Sequence, residues 1–156
     1  MSGAGQRDAV LRRRGALILA AIWCATLVLP SWSQTFDRSQ GPVTMFGFQI
    51  LSSGWIAIVY GQLAWLANLA LPVALVALTS WSIGDRVAQW AAIVILVSVA
   101  TMIDLVLRPA FHGNPVLLAG GWLWLAASLG TAIFTIAMTA VARQRGSTAM
   151  WSGPVA

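Results

Sequence analysis

Four stretches of this chain carry no charge: between Arg14 and Asp37, between Arg38 and Asp85, between Arg86 and Asp104, and between Arg108 and Arg143. A helix that crosses a bilayer needs about 20 mainly apolar residues, because the hydrocarbon core is about 30 Å thick and a helix rises 1.5 Å per residue. The spacing predicts spans near 15–31, 54–79, 87–107 and 117–141, with Pro109 as a stop just after the third. The second gap is longer than one crossing needs, so 32–53, which contains Gly41-Pro42, is expected to be an extramembrane loop. Backbone groups find no water in hydrocarbon, so crossings are helices or closed barrel strands. Barrel strands alternate apolar and polar residues over about ten positions. These runs are continuously apolar for longer than that. The expected fold class is therefore all-α, a polytopic membrane protein of four transmembrane helices.

Composition removes the alternatives. Apolar residues make up 59% and charged residues 8%, against roughly 25% charged in an ordinary soluble domain. Thirteen charged side chains cannot clothe a water-soluble fold that also carries nine tryptophans. Disorder is excluded by the apolar content. Cys24 is the lone cysteine, which excludes a disulfide scaffold and thiol–disulfide chemistry within the chain.

Orientation follows from the nine arginines, since there is no lysine. With the N-terminus inside, Arg7, Arg12, Arg13, Arg14, Arg86, Arg143 and Arg145 are cytoplasmic, and only Arg38 and Arg108 lie outside. That bias predicts an N-in/C-in protein of the inner membrane, with cytoplasmic tails at 1–14 and 142–156 that read as short and flexible. Trp32, Trp55, Trp81, Trp90, Trp122 and Trp151 fall near span ends, as an aromatic belt places them. Topology and contact with anionic lipid account for the arginines, so no nucleic-acid partner is expected. The first span is expected to be a retained anchor. Arg12–Arg14, the apolar run and Ser31-Trp32-Ser33 also fit a signal cleaved before Gln34, but the run is long and no Ala-x-Ala site is present.

Few residues could carry chemistry. Asp104 is an ionisable group within a span, a functional candidate by default. Arg108 is four residues on, where the two can pair as an interfacial, water-reaching couple. In the second span, Gln62 and Asn68 are polar, Tyr60 lies beside them, and Pro72 frees the carbonyl of Asn68. Asn68, the deepest polar side chain, should bond across a helix interface. A kink there could form a polar pocket or could simply be a bent packing helix. Small residues four apart (Ala57/Gly61, Ala70/Ala74, Ala88/Ala92, Ala126/Gly130) allow close helix approach. Gly120-Gly121 before Trp122-Leu123-Trp124 suggests a notch or an interfacial anchor. His112 stands alone in the short outer loop, without a second ligand or a nucleophile motif, so no metal, no cofactor and no catalytic group is expected.

Gly54-Trp55 followed by Ala64-Trp65-Leu66-Ala67-Asn68 resembles a pattern in small, uncharacterised bacterial inner-membrane proteins. The resemblance covers the middle third of the chain and implies a membrane location without implying an activity. The small multidrug exporters carry a membrane glutamate and the vitamin-K-reductase-like enzymes paired cysteines; this chain has neither. The expected function is a non-catalytic accessory or assembly subunit of a larger membrane complex, with the bilayer and other membrane subunits or copies of itself as partners. The alternative is a small homo-oligomeric transporter or channel with a polar path through Asn68 and Asp104.

Overall fold

The computed structural model describes residues 3–35, 41–59, 61–80, 84–108 and 116–151. The chain is mostly helical, and two of its described helices are long and apolar enough to cross a membrane. They are α5 (Gly84–Leu107) and α6 (Ala119–Trp151, apolar to Gln144). At 24 residues, α5 is about 36 Å long.

The first helix, α1 (Gly3–Val28), starts well before the expected span and stops at Val28, short of residue 31. Arg, Leu, Ala and Gln favour helix, so the expected flexible N-terminal tail is helical from Gly3. Pro30 ends it, because a residue preceding proline is pushed out of the helical region. The chain then forms β1 (Pro30–Gln34), the central strand of a three-stranded antiparallel sheet with β2 (Val43–Phe46) and β3 (Val116–Leu117). Trp32 pairs with Met45 on one side and Leu117 on the other. The all-α expectation is thus corrected by a small sheet that joins two distant parts of the chain. The expected loop at 32–53 holds two of its strands and α2 (Gly47–Ser53), whose start is tied by the Phe46 N–H donating to Gln49 Oε1 at 2.8 Å.

The continuous helix expected over 54–79 is divided. A short turn of helix, α3 (Ile56–Val59), is followed by Gly61 at φ +77°, a 3-10 turn at Ala64–Leu66, and α4 (Ala67–Thr79). Gly61 is the residue that can adopt the left-handed conformation at no steric cost. Its partnership with Ala57 as a close-approach pair is therefore replaced by a role as breaker. With its 3-10 lead, α4 is an apolar helix shorter than a crossing requires. At the far end of the chain, α6 runs through the expected 142–151 tail to Trp151 without a break.

Helix α1 packs on α6, α6 on α5, α5 on α4, and α4 on α1. The α1–α6 pairing is antiparallel and held by glycines. Phe134 lies over Gly15, Leu19 against Gly130, and Leu29 and Ser31 against Gly120 and Gly121. The shared core is built from small side chains and a few large ones, with Leu71, Ala74, Ala92, Ile95 and Ala132 wholly buried. Of the small-residue pairs, Ala70/Ala74 and Ala88/Ala92 are buried at these contacts. The outward side of α5 exposes Val87, Trp90, Ile93, Val94, Val97 and Ile103.

Candidate functional site

Asn68 lies in the first turn of α4, where that helix meets α1 and α6. Its side-chain oxygen accepts the indole N–H of Trp124 at 2.9 Å and that of Trp23 at 3.4 Å. One amide therefore ties three helices, and it is 7% exposed. Pro72, four residues on and inside the same helix, removes the backbone donor that would meet the Asn68 carbonyl.

Above Asn68 opens a cleft of about 1090 Å³. One wall is the end of α1 with the sheet, through Thr26, Ser31 and Trp32. Another is α2 with the 61–65 break, through Ile50, Gln62 and Trp65. The C-terminal half of α5, from Val97 to Leu105, and the start of α6, at Gly121 and Trp124, complete it. The indoles facing it have already spent their donors. Trp32 Nε1 donates to Gln34 Oε1 at 3.2 Å and Trp65 Nε1 to the Leu51 carbonyl at 2.9 Å. Thr101 donates to the Ser98 carbonyl at 2.8 Å.

The structure brings most of the candidate residues to this one place. Asn68, Gln62 and Asp104 line the cleft, and Pro72 lies one turn below Asn68. Gln62 is in the break and accepts the Ala64 N–H at 3.4 Å, so it does not share a helix with Asn68. Arg108 Nε donates to Asp104 Oδ1 at 2.9 Å, and both side chains are more than half exposed. The two pair four residues apart at the C-terminal end of α5. Leu71 and Ile95 do not line the cleft and are wholly buried in the core. His112 and Tyr60 lie outside the described residues, as do Asp37, Arg38, Trp81 and Pro109.

Two groups of residues were missed by the sequence reading. Arg12 does more than set topology: its guanidinium donates to Asp85 Oδ1 at 3.2 Å and to the Met138 carbonyl at 3.0 Å, tying α1, α5 and α6 at the basic end. Arg143 donates to Gln89 Oε1 nearby. Ser128, Thr131, Thr135 and Thr139 form a buried polar stripe on α6. Their i, i+3, i+4 spacing was the available signal. Thr131 bonds the Ala127 carbonyl at 2.8 Å, whereas the Ser128 and Thr135 hydroxyls have no partner among the described residues. Trp124, expected with Trp122 at a notch or interfacial anchor, instead turns inward to Asn68. Two positions apart on a helix is about 200°, so one ring points in and the other out; Trp122 is 59% exposed. Trp55 and Trp90 are also exposed, while Trp32 faces the cleft.

The Gly120-Gly121 notch is occupied by β1. A Cβ on Gly121 would lie 2.4 Å from the Ser31 carbonyl oxygen, and Ser31 also accepts the Leu118 N–H at 3.1 Å. Among the described residues no group of three or more His, Cys, Asp or Glu could hold a metal ion. No family model, curated protein or solved structure matches the chain.

Proposed function

We propose that this chain is a four-span protein of the bacterial inner membrane, N-in/C-in, its second crossing made by the broken 54–79 run as a whole, acting without a reaction of its own as an accessory or assembly subunit of a larger membrane complex. The observation that carries this reading is where the interior polar groups are spent. Asn68 holds two indoles, Arg12 holds Asp85 and a helix carbonyl, and Asp104 holds Arg108. The first two join elements, and the third pairs within the end of α5. Arg12 and Asp85 lie apart from the cleft that Asn68 and Asp104 line. The apolar outer faces of α1, α5 and α6 supply the surface for lipid and for partner helices. The packing of α1 along α6, and the place of Ser33 and Gln34 in the central strand, support a retained first helix, since cleavage between them would cut the sheet.

Extraction in dodecylmaltoside, followed by native mass measurement and identification of co-purifying chains, tests the reading. A stoichiometric membrane partner is the expected result. A chain that purifies alone, or only with copies of itself, overturns it.

One observation favours a small homo-oligomeric transporter as the second reading: a broken helix beside Asn68, with Asp104 lining the same cleft, is the arrangement in which midplane sites form. Asp104→Asn separates the two. It abolishes flux in reconstituted vesicles if Asp104 lines a path, and leaves partner assembly unchanged if it is an interfacial ion pair.

A further inference from the structure

The cleft ends on a group whose hydrogen-bonding capacity is half used. An indole N–H donates and cannot accept, so the Asn68 atom that meets Trp23 and Trp124 is the carbonyl oxygen, and those two bonds orient the amide. Its other end, Nδ2, carries two N–H donors. They meet no acceptor among the described residues, although Asn68 is more than nine-tenths buried and lines the cleft. Donors left unpaired in an apolar setting are costly, so the site suits a ligand that brings an acceptor.

The rest of the cleft narrows the chemistry. With their N–H groups engaged, Trp32 and Trp65 offer the ligand their carbon surfaces and no further donor. Among the described residues lining the cleft, Asp104 is the one that is charged, and Arg108 already holds it. Among the described residues no cation lines the cleft to match a phosphate or carboxylate head, so the acceptor that fits them is neutral. Val97 and Ala100 line the α5 side and are exposed, which leaves a lateral way out for an apolar chain.

We propose that the cleft binds a neutral, carbonyl-bearing amphiphile of the membrane, whose carbonyl oxygen accepts from Asn68 Nδ2 while its chain leaves past Val97 and Ala100. Two sources share this chemistry, the ester carbonyl of a glycerolipid and the ring carbonyl of a quinone. The inference needs only that the chain sits in a bilayer, and it stands apart from the accessory-subunit reading.

The test uses the full chain in dodecylmaltoside, a detergent without a carbonyl, titrated with decylubiquinone and, separately, with dioctanoylglycerol. Native mass spectrometry reads stoichiometry in both arms, and tryptophan quenching follows the quinone. Saturable one-to-one binding of either probe is expected, and the probe that binds identifies the source. Asn68→Asp keeps an oxygen toward the indoles and replaces the donor end. Ala100→Phe fills the cleft from an exposed position and leaves Asn68 untouched. Each should weaken binding at least tenfold, and Ala100→Phe should do so with Tm unchanged. Two results overturn the proposal: neither probe saturating the wild-type chain, or binding that survives Ala100→Phe, which would place the amphiphile on the outer lipid-facing surface. A stoichiometric protein partner found without probe binding would overturn this ligand and leave the accessory reading standing.

Discussion

At the scale of single residues, the polar groups that matter are those buried where no water can replace a lost partner. Replacing Asn68 by leucine leaves two indole N–H groups unpaired, each costing about 1–3 kcal/mol in a protein interior and less where lipid-embedded partners can readjust. Asn68→Leu should therefore lower stability by about 1–3 kcal/mol in equilibrium unfolding from mixed micelles. A double-mutant cycle sharpens this: Trp124→Phe should be costly in the wild-type chain and nearly neutral once Asn68 is leucine, and additive costs would refute the bond. The glycines make a second comparison. A Cβ on Gly121 meets backbone at 2.4 Å, whereas on Gly130 it meets the end of the Leu19 side chain at 3.2 Å. Gly121→Ala should cost about 1–3 kcal/mol, as overpacking does, and Gly130→Ala well under that, read as Tm of the purified variants. Asn68 was legible as a deep polar residue in need of a bond. Its partners were not, because Trp23 and Trp124 lie 45 and 56 residues away in the chain.

At the scale of elements, the break in the second apolar run decides the shape of the cleft. Without it, residues 54–79 would form one helix and the space over Asn68 would be filled by continuous α-helical backbone. Gly61 has open space around the position of a Cβ, so an alanine there suffers only from its backbone conformation. Gly61→Ala should cost about 1–2 kcal/mol, measured by thermal unfolding in detergent, and a neutral result would show that the left-handed turn is not held. The run was read as one helix because hydropathy registers burial in lipid and is blind to a single backbone angle. The sheet is illegible for a related reason: its strands are short, at 5, 4 and 2 residues, and β3 is separated from the other two by the whole stretch from α2 to α5. Strand pairing of that kind leaves no local period to detect. By contrast, α5 ends at Leu107, the residue at which the third span was expected to end. There a charge and a proline follow an apolar run directly.

At the scale of the whole molecule, one end is basic and bound by Arg12, while the other holds the cleft. Arg12→Ala removes both an ion pair and a bond to a helix carbonyl, and Asp85→Ala removes only the first. The pair is partly open to solvent, so Asp85→Ala should cost well under about 1 kcal/mol. Arg12→Ala should cost more, and the order of the two Tm values checks the assignment. If the arginine bias sets orientation, green fluorescent protein fused to either terminus should fluoresce in the cytoplasm, and alkaline phosphatase fused after Gln34 should be active outside. Charge spacing and the lengths of apolar runs are enough to dictate a helical chain suited to a bilayer, because the expense of a charge in hydrocarbon acts at every position independently. They also dictate which residues are candidates for a site. Where the helix breaks, which strand pairs with which, and that Asn68, Gln62 and Asp104 share one cleft were settled only by tertiary packing. Those outcomes depend on contacts between residues far apart in the chain, and on glycines whose value lies in the backbone they let pass.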